Sequence, residues 1–378
     1  MKDNAKFKIF FWSPMLGKVG TTGAIIGMAN SLKKFTSFDI FILDILGEFS
    51  DFKSEKFNYL KFTNISKFIP NKGKISKILI ILFSVMSLPF LFYNVKKYKP
   101  DYIITGLVGF VPNILKFFFS DLKIINSIQG YPRISNLRKL IWKILYNKSD
   151  LIITMTFQTK IDLENKVTFN PNKVFVLNNP IITKDIISKS REEIEDSFKF
   201  IFKKKVFCAI GRLTIQKNFT QLLDYLNYYR IQTNDDFNLI VLGDGEKKRE
   251  LEEFIRLNKI NNFYLLGYQK NPFKFLARSN LYICSSLWED PGHTLIEAGF
   301  LNIPILTSNC PNGPNEIIKN EFNGMKYKMG NREDFLDKIK KINKISLSDK
   351  KKLIINMKKI SINYSQLRFA KKFIKLLN

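Results

Sequence analysis

Short apolar runs alternate with helical patterns along nearly all of the chain. The clearest runs are Lys8–Trp12, Tyr102–Thr105, Val174–Leu177, Val206–Ile210, Leu239–Leu242 and Asn280–Ser285. Runs this short, set between helices, predict strands that are buried on both faces. With 378 residues, 45% of them hydrophobic, the chain can bury more than one core. The alternation therefore predicts an α/β fold in which helices cover both faces of parallel sheets.

The chain length predicts two domains. The expected boundary is the segment Asn178–Thr183, which directly follows the predicted strand Val174–Leu177. We expect residues 1–182 to form one Rossmann-like domain and residues 183–360 to form a second. No long linker, low-complexity tract or repeat of fixed period interrupts either half.

The stretch Ser286–Ala298 places two carboxylates, Glu289 and Glu297, eight residues apart. It follows the predicted strand Asn280–Ser285 and continues into the helical pattern Thr294–Phe300, so Glu289 is expected on a loop and Glu297 on a helix. Ligands of α/β sheets bind at the carboxyl ends of strands, and helix amino termini attract anions. Two acceptors and nearby backbone donors suit a polyol that carries a phosphate. The alternative is a pair of solvated surface glutamates. The substrate-binding candidates between the carboxylates are Pro291, Gly292, His293, Thr294 and Leu295.

Upstream, the predicted strand Val206–Ile210 leads into Gly211-Arg212, with Lys217 five residues further on. An isolated Arg and Lys at this spacing are more typical of solvated charges. Together with Glu289, Glu297 and the downstream segment 309–316, they resemble the retaining glycosyltransferases of family 4. The resemblance covers most of residues 7–330 and is strongest from Gly211 to Glu316. It implies a GT-B fold, in which two Rossmann-like domains face a cleft and C-terminal helices, here residues 361–378, cross back to the first domain.

By this resemblance, Arg212 and Lys217 would hold the diphosphate of a nucleotide-sugar donor. Cations there would stabilise the charge that builds as the sugar departs, without a metal ion. Glu289, Arg212 and Lys217 are therefore the candidate catalytic residues, with Gly211 beside them. Glu289 would contact the transferred sugar, and Glu297 the ribose hydroxyls. No cofactor is expected beyond the donor substrate.

Three further positions are less direct matches to the family. Gly20, in the predicted loop Ser13–Gly23, is aligned with the family's amino-terminal loop glycine, which lets the backbone approach the donor. Gln129 stands where many relatives carry a histidine; it can donate and accept hydrogen bonds but carries no proton at neutral pH. It would contact the sugar or the acceptor. Tyr268 lies in a segment that resembles the family's base-contacting region, although an ordinary strand-to-helix turn explains that segment equally well.

His293 is the one histidine of the chain, and the three cysteines are far apart in sequence. These counts exclude a zinc site of the common Cys/His spacings and leave a Ser-His-Asp hydrolase with His293 alone. The histidine adjoins the carboxylates, but the matching family position usually holds residues that transfer no proton, so we interpret it as a contact or packing residue. No secretory signal is apparent, which favours a cytoplasmic protein with reduced thiols.

The net charge of +28 points to an anionic partner. The excess is mostly lysine, whereas base recognition leans on arginine, so no specific nucleic acid is expected. In the first half, lysines flank the apolar run 78–93, which is too short to span a bilayer and contains Pro89. It is either an interfacial helix or a core helix. We favour a helix that packs on the sheet and shows a basic rim to an anionic membrane.

The resemblance implies a retaining glycosyltransferase that moves a sugar from a nucleotide-diphosphate donor to a hydroxyl of a glycan or lipid-linked acceptor. Assembly of cell-surface polysaccharide or lipopolysaccharide at the inner membrane face fits the charge. One alternative is a protein that binds anionic lipid or nucleic acid without chemistry; it would have no use for the Arg, Lys and Glu set in register. Another is a different GT-B enzyme, such as a sugar-nucleotide epimerase or a phosphorylase, and the single histidine argues against the epimerase.

Overall fold

The computed structural model describes residues 6–16, 20–49, 57–66, 68–69, 73–132, 134–167 and 169–377. The chain divides into two compact units. The first runs to Ile181 and includes the terminal helix from Gln366, and the second is Ile182–Ser365.

The described part of the first unit contains a sheet of seven strands, all paired in parallel, in the order β3-β2-β1-β4-β5-β6-β7. The strands are β1 (Lys8–Trp12), β2 (Asp39–Asp44), β3 (Asn58–Lys61), β4 (Tyr102–Thr105), β5 (Lys123–Ile128), β6 (Leu151–Thr154) and β7 (Val174–Val176). The helices are α1 (Gly20–Phe35), α2 (Lys74–Met86), α3 (Leu88–Tyr98), α4 (Phe110–Asn113), α5 (Asn136–Leu145) and α6 (Phe157–Val167).

The second unit has, in its described residues, a parallel sheet of six strands in the order β10-β9-β8-β11-β12-β13. The strands are β8 (Lys205–Ile210), β9 (Phe237–Leu242), β10 (Phe263–Leu265), β11 (Leu281–Cys284), β12 (Ile305–Ser308) and β13 (Met325–Tyr327). The helices are α7 (Asp185–Arg191), α8 (Asp196–Lys199), α9 (Phe219–Thr233), α10 (Lys248–Leu257), α11 (Phe273–Leu276), α12 (His293–Phe300), α13 (Gly313–Ile317), α14 (Arg332–Lys344) and α15 (Leu347–Ile362). The chain ends with α16 (Gln366–Leu377), which contacts α1 in the first unit.

Both sheets are sandwiched between helices because successive residues of a strand point to opposite faces and the central strands are apolar on both. In β1, for example, Ile9 and Phe11 pack with α1 and α16, whereas Phe10 and Trp12 pack with α3 and α4. The α/β fold predicted from the alternation of strands and helices is therefore confirmed, with a Rossmann-like sheet in each unit.

The predicted loop Ser13–Gly23 is wrong at its carboxyl end, because α1 begins at Gly20. Glycine and threonine are poor helix formers, which is why the Gly-Thr-Thr-Gly segment resembles a loop in sequence. Packing outweighs that preference, since Ile25, Ala29 and Leu32 form a fully buried stripe along the same helix. Residues 17–19 of the predicted loop lie outside the described residues.

The apolar run 78–93 forms two helices, α2 and α3, that meet at Ser87 and are bent by 45°. Pro89 occupies the first turn of α3, where its missing N–H costs no helical hydrogen bond. In the described part of the chain, no single helix is long and apolar enough to cross a membrane, although this bent pair passes the same test of length and composition.

Candidate active site

A buried ion pair joins two loops at the carboxyl edge of the six-stranded sheet. Lys217 donates to Oε1 of Glu289, and the two side chains are 17% and 8% exposed. Lys217 ends a short 3-10 turn between β8 and α9, and Glu289 lies on the loop between β11 and α12. The two loops meet because β8 and β11 are neighbours in the sheet, although 72 residues separate the partners.

Close backbone contacts fix the loop that carries Arg212 and Lys217. The N–H of Gly211 donates to the carbonyl of Leu242, and Leu213 donates to the carbonyl of Asp244, both at 3.0 Å. Gly243 has φ of +145°, and a Cβ on it would lie 1.9 Å from the carbonyl oxygen of Gly211. Only glycine fits between these two loops. Beside them, a Cβ on Gly211 would lie 2.8 Å from Cε of Lys217, so the absence of a side chain leaves room for the lysine to reach Glu289.

Two serines that directly follow β11 support the same ion pair. Ser286 donates to Oε1 of Glu289 at 2.5 Å, and Ser285 donates to the carbonyl of Lys217 at 2.7 Å. Gln216 completes the link, because its side chain donates to the carbonyl of Trp288 at 2.9 Å. Glu289 therefore accepts from an ammonium and a hydroxyl at once, which is how a buried carboxylate is kept satisfied.

The segment after Glu289 turns tightly into α12. Gly292 has φ of +90°, a left-handed conformation that favours glycine. A Cβ on Gly313 would lie 1.5 Å from the carbonyl oxygen of Pro291, so the loop after β12 presses against this turn. The N–H of Gly313 also donates to the carbonyl of Glu289 at 3.3 Å. Pro291 and Gly292 are buried and thus hold the backbone of the loop in place.

Helix α12 carries the remaining candidates of this segment. It begins at His293, and Glu297 follows one turn later. Thr294 accepts a hydrogen bond from the hydroxyl of Tyr282 at 2.6 Å, which ties the helix to β11. Leu295 is fully buried, so it packs in the core and is not placed to touch a ligand with its side chain. His293 and Glu297 are half-buried.

Burial and charge shift the proton affinities of three groups at this edge. Burial lowers the pKa of Lys217, but the charge and hydrogen bond of Glu289 outweigh it and leave the pKa above its ordinary value. Burial lowers the pKa of His293 to about 4, against an opposing effect of the Glu289 charge. Burial also raises the pKa of Glu297 to about 7. Near neutral pH the site therefore holds a charged lysine, a neutral histidine and a glutamate close to its titration point.

Two predicted site residues of the second unit, Arg212 and Tyr268, are exposed and are not held by the contacts that fix Lys217 and Glu289. Arg212 is exposed, and its charge opposes the rise in the pKa of Lys217. Tyr268 is 71% exposed and follows β10 at the carboxyl edge.

The other two predicted residues belong to the first unit. Gly20 is the first residue of α1. Gln129 directly follows β5, and its amide exchanges hydrogen bonds with that of Asn179: Asn179 donates at 2.8 Å, and Gln129 donates back at 3.4 Å and to Ser127 at 2.7 Å.

Sequence reasoning missed Ser285, Ser286 and Gln216, which build the support of the ion pair. A signal was present for the serines, because two hydroxyls at the end of a buried apolar strand lie at the edge where α/β sheets bind ligands. Asn312 was also missed. It pairs with Glu289 as an isolated parallel bridge, and its buried side-chain oxygen has no hydrogen-bond partner in the structure.

Known proteins are similar to this chain in sequence and in fold. The family profile "Glycosyl transferases group 1" matches residues 190–374. An uncharacterised glycosyltransferase of Methanocaldococcus jannaschii is 37% identical over 283 residues, which cover 67% of this chain and 69% of the relative. The N-acetylgalactosamine-N,N'-diacetylbacillosaminyl-diphospho-undecaprenol 4-alpha-N-acetylgalactosaminyltransferase of Campylobacter jejuni is 28% identical, over 54% of each chain. The crystal structure of Anabaena HepE in complex with UDP superposes with a TM-score of 0.76 at 16% identity, covering 98% of this chain and 99% of that one.

The chain therefore belongs to the glycosyl transferases group 1 family, and its fold is GT-B. The family match begins in α7, covers most of the unit that carries the Lys217–Glu289 pair, and ends in α16 of the first unit.

Proposed function

We propose that the protein is a retaining glycosyltransferase of family 4, which transfers a sugar from a nucleotide-diphosphate sugar to a hydroxyl of a glycan or lipid-linked acceptor. The observation that carries the proposal is the buried Lys217–Glu289 pair at the carboxyl edge of the second sheet, with the charge of Arg212 beside it. The pair brings together a phosphate-binding cation and a hydroxyl-binding carboxylate, which are the two groups that a nucleotide sugar requires.

In the proposed reaction, the bond between the anomeric carbon and the β-phosphate oxygen breaks, and the acceptor oxygen bonds to the same face of that carbon. The proton of the acceptor hydroxyl passes to the departing phosphate. Lys217 and Arg212 stabilise the charge that develops on the diphosphate. An ammonium group has three N–H donors, so the contact of Lys217 with Glu289 leaves donors for phosphate oxygens.

Glu289 is the proposed partner of the transferred sugar. Lys217 and Ser286 both bind its Oε1 and so fix the orientation of the carboxylate before any sugar arrives. Such preorganisation lowers the cost of reaching the transition state. Glu297 is proposed to accept hydrogen bonds from the ribose hydroxyls, and His293, neutral near pH 7, to serve as a contact.

The proposed cations take the place that a divalent metal fills in other phosphate sites, and no metal or other cofactor is proposed beyond the donor. The sugar is proposed to be a hexose or a related sugar. A nucleotide donor is supported by the fold shared with HepE, whose structure contains UDP.

An acceptor at an anionic membrane surface, on the cytoplasmic side, is proposed from the charge distribution. The first 150 residues hold 23 Lys and Arg against 9 Asp and Glu. The Campylobacter relative, named for a diphospho-undecaprenol substrate, supports a lipid-linked acceptor in surface-glycan assembly. In this proposal the first unit binds the acceptor and the second unit binds the nucleotide sugar.

The test is a thermal-shift screen of the purified protein against UDP, GDP and ADP and their sugar conjugates, at low and moderate salt. We expect one nucleotide to stabilise the wild type in a salt-tolerant way. Arg212→Ala should lose most of that shift without a change in the stability of the free protein, because Arg212 is exposed. Arg256→Ala is the matched control, since Arg256 is an exposed arginine on α10 of the same unit.

A transfer reaction with the stabilising donor then reports the stereochemistry, because NMR of the new glycosidic bond distinguishes retention from inversion. An absence of any nucleotide shift, with salt-sensitive binding to nucleic acid or anionic lipid in its place, would favour the non-catalytic alternative.

A further inference from the structure

Helix α2 is apolar on its outer side as well as on the side where Ile80 and Phe83 pack against the core. Its exposed side carries the row Ile78, Leu82 and Val85, at the spacing of one helix face, and Ile78 is 63% exposed. Its covered side contains two serines, Ser76 and Ser84, which are both buried. An apolar stripe turned outward in this way marks a surface that meets something other than water.

Helix α5 repeats the pattern with charge added. None of its described residues is buried, and Leu137, Leu140 and Ile144 form an exposed row at i, i+3 and i+7, with Leu137 68% exposed. Lys139 and Lys143 are exposed on the same helix. A helix with an apolar row flanked by cations is typical of segments that lie in the interface of an anionic bilayer.

The two helices belong to the same side of the first sheet. Right-handed crossovers in the strand order 3-2-1-4-5-6-7 put α1 on one face and the helices from α3 to α6 on the other. These helices form a row, since α3 contacts α2 and α4, and α5 contacts α4 and α6. We name the outer surface of α2 and α5, with Phe117 and Phe118 between them, the docking face.

Aromatic side chains make this surface continuous from α3 to α5. Phe92 of α3 packs edge-on against Phe118 at a centroid distance of 5.7 Å. Phe118 is 65% exposed. The neighbouring Phe117 ring lies 4.5 Å from the ammonium of Lys148, which closely follows α5. Exposed aromatic rings beside lysine ammonium groups suit the headgroup region of a membrane, where both apolar and charged groups are accommodated.

The charge of the segment that builds the docking face complements an anionic lipid surface. Residues 73–148 contain 12 Lys and Arg but only two acids, Asp101 and Asp121. A protein partner would have to match both the lysines and a broad apolar surface, whereas an anionic bilayer offers phosphates and acyl chains everywhere.

We infer that the docking face, built by α2, Phe117–Phe118 and α5, inserts into the interface of an anionic bilayer and holds the first unit on it. In this arrangement the first unit lies on the membrane, and the bent pair of α2 and α3 does not cross it. Half of the bent helix pair is committed to the core of the unit, since Leu91 and Val95 of α3 pack with Phe10 and Trp12 of β1. The pair therefore cannot be surrounded by lipid. This inference deepens the proposed function, because a lipid-linked acceptor would be presented in the plane where the first unit rests.

The test measures co-sedimentation of the full chain with phosphatidylcholine vesicles, with and without about a third of phosphatidylglycerol. We compare the wild type with the triple serine variants of the α2 row (I78S/L82S/V85S) and of the α5 row (L137S/L140S/I144S). Each should weaken binding to the anionic vesicles by roughly tenfold or more, since three apolar side chains leave the interface. Neutral vesicles should bind the wild type far less.

Matched controls come from the second unit, where Ile231, Leu257 and Leu347 are also large, apolar and exposed. Their triple serine variant should bind vesicles as the wild type does. Hydrogen exchange of the wild type provides a check that needs no variant, because α2 and α5 should gain protection when anionic vesicles are added and α10 should not.

Unchanged vesicle binding by both row variants would overturn the inference. Retention of the protein on membranes after alkaline carbonate extraction would also overturn it, because such retention indicates a membrane span. A third contrary outcome is a dimer in solution that the row variants abolish, while the wild type does not bind vesicles. Donor-induced thermal shifts are recorded for the same proteins without lipid. If those shifts survive while vesicle binding fails, the docking inference is wrong and the transferase proposal stands. If the shifts are absent while vesicle binding holds, the transferase proposal is wrong and the docking inference stands.

Discussion

The two units build their sheets alike but place different chemistry at the carboxyl edges. In the second unit, Lys217 and Glu289 form a buried ion pair that hydroxyl and backbone groups hold from several sides. In the first unit, Gln129 directly follows β5 at the corresponding edge, and its neutral amide exchanges hydrogen bonds with that of Asn179. Charged groups that are fixed and shielded from water suit a reaction step in which charge develops. Neutral amides suit the recognition of hydroxyl groups.

Removal of the lysine tests the charged edge most severely. Lys217→Met should lower kcat/KM by about 10²–10³, which corresponds to about 2.7–4 kcal/mol of transition-state stabilisation. It should also destabilise the fold by about 3–5 kcal/mol, because Glu289 is left buried without its cation. Steady-state transfer kinetics and chemical denaturation measure the two effects separately.

The double variant Lys217→Met/Glu289→Gln separates catalysis from folding. Without a buried unpaired charge it should recover much of the lost stability but none of the activity. Recovery of turnover together with stability would show that the ion pair only supports the fold. The difference between the two carboxyl edges would then be structural and not catalytic.

Glycines test how tightly each edge is built. Gly243→Ala should cost about 3 kcal/mol or more of unfolding free energy, because its Cβ meets the Gly211 carbonyl at 1.9 Å and its φ is +145°. Gly130 of the first unit also has a positive φ, +90°, but a Cβ there meets nothing within 4 Å. Gly130→Ala should therefore cost only about 1 kcal/mol, the price of the left-handed backbone. Equal losses in denaturation experiments would contradict the view that the second edge is the more constrained.

The raised pKa of Glu297 predicts that the affinity for the nucleotide sugar depends on pH. Its pKa of about 7 means that Glu297 is mostly neutral near pH 6 and ionised near pH 8. Ribose hydroxyls donate more strongly to a carboxylate, so affinity for the nucleotide sugar should rise several-fold over this range. Glu297→Gln should flatten the rise in a calorimetric titration. The nucleotide sugar is the suitable ligand, since a free diphosphate has a group of its own that titrates near pH 6.

The stability of the ligand-free protein should change in the opposite direction. A carboxyl whose pKa is raised on folding keeps a proton that the unfolded chain releases, so between about pH 4.5 and 7 stability falls as pH rises. His293, with a pKa lowered to about 4, contributes the reverse slope up to about pH 6.5. Because His293 is common to both proteins, the difference between wild type and Glu297→Gln isolates the glutamate. A difference that does not vary with pH would contradict the raised pKa.

The alternation of apolar runs and helices was sufficient to predict the α/β fold, because a strand buried on both faces must be apolar throughout. The motif also gave the loop position of Glu289 and the helical position of Glu297. The sequence did not predict the pairing of Lys217 with Glu289. That contact depends on β8 lying beside β11 while β9 and β10 extend the opposite side, an order set by crossovers and not by local pattern. The start of α1 at Gly20 was missed for a similar reason, since tertiary packing overrode weak helix propensity.

The Gln129–Asn179 amide pair of the first unit is tested by Gln129→Ala, for which the smallest effect is expected. The variant removes the hydrogen bonds between Gln129 and Asn179, a loss of about 1 kcal/mol in stability. If Gln129 contacts the sugar or the acceptor, kcat/KM should fall by about tenfold. Donor-induced thermal shifts should be less affected, because the diphosphate and ribose contacts are proposed for the other unit.

Gln129→Glu sharpens the test, since it keeps an acceptor but adds a negative charge. A large loss of turnover with Gln129→Glu but not with Gln129→Ala would place this position beside developing or fixed negative charge. Unchanged kinetics in both variants would show that Gln129 is not part of the site and that its contact with Asn179 is structural.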